Sequence, residues 1–146
     1  MRFTVLTTFP GMFRGPLSES LMKKARARGL VDVRIVNLRR YAKDRHRTTD
    51  DRPYGGGAGM VMKAEPILAA LDRARNAGPV HAILTSPQGR RFTQADARRL
   101  SRLPHLLIIC GHYRGVDARV EAEMDESLSI GDYVLTGGEI PAAVMI

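Results

Sequence analysis

Leu106-Leu107-Ile108-Ile109-Cys110-Gly111-His112-Tyr113-Arg114-Gly115 sets five apolar residues in a row against a polar, glycine-bounded loop. An unbroken apolar run of this length predicts a strand covered on both faces, as in the middle of a parallel sheet. Such a strand needs helices before and after it, and the neighbouring sequence supplies them. Upstream, Thr93 to Leu103 reads as a helix opened by a Thr93-x-x-Asp96 capping box. Val80 to Thr85 reads as another buried strand, and Ala64 to Ala77 as an amphipathic helix with Ile67, Leu68, Leu71 and Ala74 on one face.

The same alternation reaches both ends. Phe3 to Thr7 predicts a first strand, and Pro16 to Arg28 a helix with Leu17, Leu21, Met22 and Ala25 inward and Gly29 past its end. Val31 to Val36 alternates as a half-exposed strand does, and Arg39 to Gly59 is a long polar loop. Downstream, Val116 to Met124 predicts a short helix, Ser127 to Ile130 a short strand and Gly138 to Ile146 a helix. The expected fold class is α/β, with a mainly parallel sheet flanked by helices. The chain stops inside the apolar pattern Pro141 to Ile146 with no capping glycine, which predicts a partial chain.

The composition is that of a globular domain, with 44% hydrophobic and 26% charged residues. No apolar run approaches the roughly 18 residues of a membrane span, so no membrane partner is expected. Met1 leads directly into a strand, without the pattern of a secretory leader. One cysteine, Cys110, excludes an internal disulfide and fits a cytoplasmic setting. The net charge is +8 and unevenly spread. Lys23 to Arg52 holds eleven Lys/Arg against four Asp, whereas Asp117 to Glu139 holds seven acids against one Arg. A basic first third points to a polyanion such as nucleic acid, and the acidic stretch keeps that contact to one face.

Ligands of open parallel sheets sit beyond the carboxyl ends of the strands. Three loops there carry glycine and backbone groups able to read a purine edge: Thr85-Ser86-Pro87-Gln88-Gly89-Arg90, Cys110-Gly111-His112-Tyr113-Arg114-Gly115, and Ile130-Gly131-Asp132-Tyr133-Val134-Leu135-Thr136-Gly137-Gly138-Glu139. Turn chemistry alone explains any single one of them. A fourth segment, Asp44 to Met60, is too long for an idle connection. Arg45, Arg47 and Arg52 suit phosphate, while His46 and Tyr54 offer faces for base stacking. Gly55-Gly56-Gly57-Ala58-Gly59 resembles a phosphate cradle, but no Gly-Lys-Ser/Thr follows, so it is not a P-loop. His46, His81, His105 and His112 are scattered, and no zinc spacing or Gly-x-Ser-x-Gly motif occurs.

Taken together and in order, Phe9-Pro10-Gly11-Met12-Phe13, Asp44 to Met60, Ser86-Pro87-Gln88-Gly89-Arg90, Cys110-Gly111-His112-Tyr113 and Ser129 to Leu135 closely resemble the signature of the bacterial tRNA (guanine-N1)-methyltransferases. The resemblance covers the whole chain. It implies a SPOUT-type fold with a deep C-terminal trefoil knot, residues 1–146 forming the S-adenosylmethionine domain of a homodimer. Carried over, the cofactor-binding residues are Leu84, Thr85, Ser86, Pro87, Gly111, Tyr113, Ile130, Gly131, Tyr133, Leu135, Gly137, Gly138 and Pro141. The substrate-binding residues are Arg45, His46, Arg47, Asp50, Arg52, Gly59 and Arg114.

The implied reaction moves a methyl group to N1 of the guanosine 3′-adjacent to the tRNA anticodon. The general-base aspartate and a catalytic arginine of the family then lie beyond Ile146, as does its C-terminal tRNA-binding domain, so no catalytic residue is assigned within this chain. Arg114 departs from the pattern, since an acidic residue commonly follows the tyrosine of the Cys-Gly-x-Tyr motif. The departure bears on cofactor or metal placement. The resemblance leaves a Mg2+ requirement open. Two other readings stand beside it: an RNA-binding α/β module or inactive truncation, and a nucleotide enzyme using Gly55 to Gly59. Cofactor specificity separates the three.

Overall fold

The structure, a computed structural model, describes residues 1–53 and 55–146. In chain order the elements are β1 (Arg2–Thr7), a 3-10 turn at Pro10–Phe13, α1 (Ser20–Ala27), β2 (Asp32–Asn37) and a second 3-10 turn at Leu38–Tyr41. There follow β3 (Asp50–Asp51), β4 (Val61–Met62), α2 (Ala64–Asn76), β5 (His81–Arg91) and α3 (Gln94–Leu100). β6 (His105–Cys110), α4 (Ala118–Glu121), β7 (Glu126–Ser129) and α5 (Glu139–Met145) complete the chain.

Five strands make one sheet in the order β2-β1-β6-β5-β7, and every pairing in it is parallel. The apolar run 106–110 lies in the central strand, as its composition requires. Successive side chains of a strand point to opposite faces, and here they feed two cores. Leu107 and Ile109 join Leu6, Leu38, Ile67, Leu71 and Leu84 beneath α2 and α4. Leu106, Ile108 and Cys110 join Phe3, Val5, Phe13, Leu100 and Leu128 on the opposite face, with Ala142 of α5. Among the described residues, no helix is long and apolar enough to cross a membrane.

Three elements differ from the sequence expectation. The helix expected from Pro16 begins at Ser20. Leu17 is buried ahead of it, while Leu21 is 78% exposed, so the apolar spacing did not describe a single buried stripe. β5 runs past Thr85 to Arg91, because Arg90 and Arg91 return to pair with Leu128 and Ser129 of β7 after a break in register. The long polar segment is partly ordered by the two-residue hairpin pairing of Asp50 with Met62 and Asp51 with Val61.

The capping box is present: Thr93 accepts from the Asp96 backbone while the Asp96 carboxylate accepts from the Thr93 N–H. That carboxylate also takes a bidentate pair from Arg90 at 2.9 and 2.7 Å. Arg99 and His81 hold Glu126 beside it. The Arg90 guanidinium, and then Thr93, hold Asp96 far below the usual carboxylate range. Burial pushes Glu126 up, but hydrogen bonds from His81 and Arg99 outweigh it and leave it lowered. Both carboxyls therefore protonate less readily folded than unfolded. Their contribution is complete above the unfolded values of about 4 and is lost as pH falls through the folded ones. Thermal melts should show the unfolding temperature falling below about pH 4, with a shallower fall in Asp96→Asn. Equal slopes in the two proteins would remove this cluster as the cause.

Candidate active site

A cavity of about 450 Å³ opens at the register break of β5 after Thr85 and beyond the carboxyl ends of β6 and β7. Its walls come from the three loops that the sequence singles out. Leu84, Thr85, Ser86 and Pro87 come from β5, Gly111 and Tyr113 follow β6, and Ile130, Tyr133, Leu135, Gly137, Gly138 and Pro141 follow β7. Gly131 is not among the lining residues; the Tyr133 ring packs where its Cβ would project. The stretch after β6 contributes more than was expected, since His112 and Val116 of the loop and Glu121 of α4 also line the cavity. Their signal was position alone: His112 lies inside the Cys-Gly-His-Tyr motif, and Val116 and Glu121 follow it.

Backbone and hydroxyl contacts lock the floor. Thr85 is 3% exposed, and its hydroxyl donates to the Ile109 carbonyl at 3.0 Å while accepting from the Gly111 N–H at 3.1 Å. The Gly138 N–H donates to the Gly111 carbonyl at 2.7 Å, joining the start of α5 to the end of β6. Both glycines are there for close approach. A Cβ on Gly111 would stand 2.6 Å from the Thr85 carbonyl oxygen, and one on Gly138 would stand 2.8 Å from the Gly111 nitrogen and collide with Thr85 Oγ1. Gly89 serves packing instead, because its Cβ would meet the Ser127–Leu128 backbone of β7 at 2.6 Å.

Behind the cavity Glu139 is 1% exposed. Thr7 donates to its Oε1 at 2.7 Å, while Oε2 lies 3.7 Å from His112 Nε2. The His112 ring packs between Phe9 and Tyr113, with centroids 4.8 Å from each. Tyr113 adopts a left-handed backbone, φ +59°, which turns the chain out of the strand at the rim. Burial, and then the nearby Asp50 carboxylate, push the Tyr113 phenol up.

The segment expected to touch substrate is only partly brought to this cavity. Arg114 lines it, and Gly59 packs against the Arg114 side chain. Asp50 lies close enough to Tyr113 to act on its charge. Arg45, His46 and Arg47 are exposed and line no part of it, and Arg52 lines a second cleft beside Lys63, Glu65 and Arg119. The stacking role read for Tyr54 falls on a residue outside those described. Among the described residues, no group of three or more His, Cys, Asp or Glu is placed to hold a metal ion.

Compared with known proteins, residues 1–146 match the family model for tRNA (Guanine-1)-methyltransferase TrmD. The tRNA (guanine-N(1)-)-methyltransferase of Chloroflexus aurantiacus is 54% identical over 149 aligned positions, covering all of this chain and 59% of that protein. Its namesake in Geotalea uraniireducens is 53% identical over all of this chain and 60% of its own length. The crystal structure of the tRNA (m1G37) methyltransferase from Aquifex aeolicus superposes with a TM-score of 0.91 at 39% identity, over 99% of this chain and 66% of that one. The chain thus spans about three fifths of the relatives it matches.

Proposed function

From the premise that the chain belongs to the tRNA (Guanine-1)-methyltransferase TrmD family, we propose that residues 1–146 are the S-adenosylmethionine-binding domain of an enzyme that methylates N1 of a guanosine in tRNA. The observation that carries this reading is the cavity at the carboxyl ends of β6 and β7 and the register break of β5, walled by three glycine-bearing segments. Its fit to the cofactor is physical. Leu84, Ile130, Leu135 and Pro141 give an apolar slot for a purine, and the rim offers backbone groups of the Gly111 and Gly137–Gly138 loops.

When bound, S-adenosylmethionine supplies an electrophilic methyl group on a sulfonium. This chain's part is to fix the cofactor and exclude water, so that the methyl faces the acceptor nitrogen in line. Guanine N1 carries a proton at neutral pH, so a carboxylate must take it, and a cation near O6 would stabilise the anion that forms. In this reading the base comes from a part of the enzyme beyond Ile146, together with a domain that grips tRNA. N1 lies on the Watson–Crick edge, so the guanosine enters unpaired, next to the anticodon on its 3′ side. The exposed Arg45, His46, Arg47 and Arg52 suit approach to the RNA backbone.

The reading includes a trefoil knot, a homodimer and a cytoplasmic setting. For the knot, α5 packs against β6, and Gly137 and Gly138 pair with His112 and Gly111, although β7 itself pairs with β5. For the dimer, Phe9 and Met12 at the first 3-10 turn and Ile140 and Val144 of α5 leave large apolar side chains exposed, and the turn and α5 pack together.

Calorimetry with S-adenosylmethionine, S-adenosylhomocysteine and ATP tests the cofactor reading. Saturable binding of the first two and none of ATP is expected. Binding of ATP alone would move the site to the nucleotide reading, and salt-sensitive RNA binding with no adenosyl ligand would favour a plain RNA-binding module.

A further inference from the structure

Among the described residues that line the cavity beside β6, one carries a fixed positive side chain and one a carboxylate: Arg114 and Glu121. Both come from the stretch after β6, on the chain that leads from the Tyr113 turn into α4. Among the described residues neither side chain takes part in an ion pair with another group of the protein. Apart from the His112 imidazole, the rest of the lining is apolar, glycine or uncharged polar.

The turn that carries Arg114 is also held in place. The Arg114 backbone N–H donates to the Met60 carbonyl at 3.0 Å, which ties this turn to the glycine-rich segment. Its side chain then runs across Gly59, where a Cβ would stand 2.8 Å from Nε and 2.9 Å from Cδ, and past Gly57, 3.7 Å from one guanidinium nitrogen. Gly59 has φ +97°, so the position suits glycine both in backbone and in space. The glycines therefore leave room for the arginine side chain along this segment.

One acid and one base in the lining of a single cavity match a zwitterion. We propose that Arg114 and Glu121 form a subsite for an α-amino acid group, Arg114 pairing with the α-carboxylate and Glu121 with the α-ammonium. A guanidinium meets a carboxylate through two parallel hydrogen bonds, so Arg114 supplies orientation as well as charge. The pair selects ligands that carry both groups over adenosyl compounds that lack them. The proposal rests on the cofactor reading above, whose methionine end is such a zwitterion.

The test compares S-adenosylhomocysteine with 5′-methylthioadenosine, which keeps the purine, ribose and thioether but has no amino acid group. Calorimetry on the wild-type chain, Arg114→Met, Arg114→Lys and Glu121→Gln gives a selectivity ratio for each. The wild type should favour S-adenosylhomocysteine by about tenfold or more. Arg114→Met should weaken that ligand about tenfold while leaving methylthioadenosine within twofold, with Arg114→Lys in between and Glu121→Gln behaving as a milder Arg114→Met. Unchanged melting curves establish that each variant is folded. A selectivity unaltered in Arg114→Met and Glu121→Gln overturns the subsite and leaves the cofactor reading intact. Unaltered adenosyl binding with weakened tRNA binding in Arg114→Met overturns it in favour of a phosphate contact. Binding of neither ligand by the wild-type chain defeats the cofactor reading itself.

Discussion

Gly138→Ala should abolish cofactor binding, raising the dissociation constant of S-adenosylhomocysteine at least a hundredfold. The backbone at Gly138 has φ −83°, which any residue adopts, so the effect is purely steric. The new methyl would collide with Thr85 Oγ1 and stand 3.0 Å from Cys110 Cα. Thr85 cannot turn away freely, because its hydroxyl already links the Ile109 carbonyl to the Gly111 N–H. Relief must come from moving the start of α5 away from Gly111, which breaks the 2.7 Å bond between them and displaces the loop that closes the cavity. Forcing a methyl into such a contact costs about 1–3 kcal/mol of stability as well. Gly11→Ala is the control, since a Cβ there meets nothing within 4 Å and should change neither quantity. Wild-type affinity in Gly138→Ala would show that the α5–β6 junction is not part of the binding site.

Leu107→Ala should cost about 3 kcal/mol, within the usual range of about 2–5 for a buried leucine. Leu107 is fully buried in the central strand, between Thr4 of β1 and Ala82 of β5 in register, with its side chain in the core beneath α2. Packed strands on both sides leave little room for collapse into the cavity created. Single domains hold only about 5–15 kcal/mol in all, so the loss is a large share of the total. Urea unfolding followed by circular dichroism measures it, with Leu21→Ala as the surface reference. Leu21 is 78% exposed, and its truncation should stay within about 0.5 kcal/mol. A cost below about 1 kcal/mol for Leu107→Ala would contradict the packing described.

The parts of the fold visible in the sequence are those fixed by local chemistry. The run 106–110 is apolar at every position because both its faces are covered, and that pattern admits few other readings. Thr93 and Asp96 announce a helix start through hydrogen bonds confined to four residues. The return of β5 to β7 was not legible, because Arg90 pairs with Leu128, a partner far along the chain with no local trace. In α1, Leu17 and Leu21 share a helical spacing, yet the helix begins between them, and a four-residue spacing cannot report where a helix starts. The cavity residues followed the motifs closely, Gly131 excepted. Glu121 was missed because its place in the lining depends on where the one-turn helix α4 lies, a tertiary fact.

Cys110 is wholly buried at the end of the central strand, and burial, followed by the Glu139 charge, pushes its thiol well up. Thiol reagents attack the thiolate, so neither access nor ionisation is available while the sheet is closed. The chain's single sulfhydryl is therefore an internal clock for opening of the strand that floors the cavity. Its alkylation rate in the native protein reads the frequency of that opening, and any ligand that bridges β6 and α5 slows the clock in proportion to its occupancy.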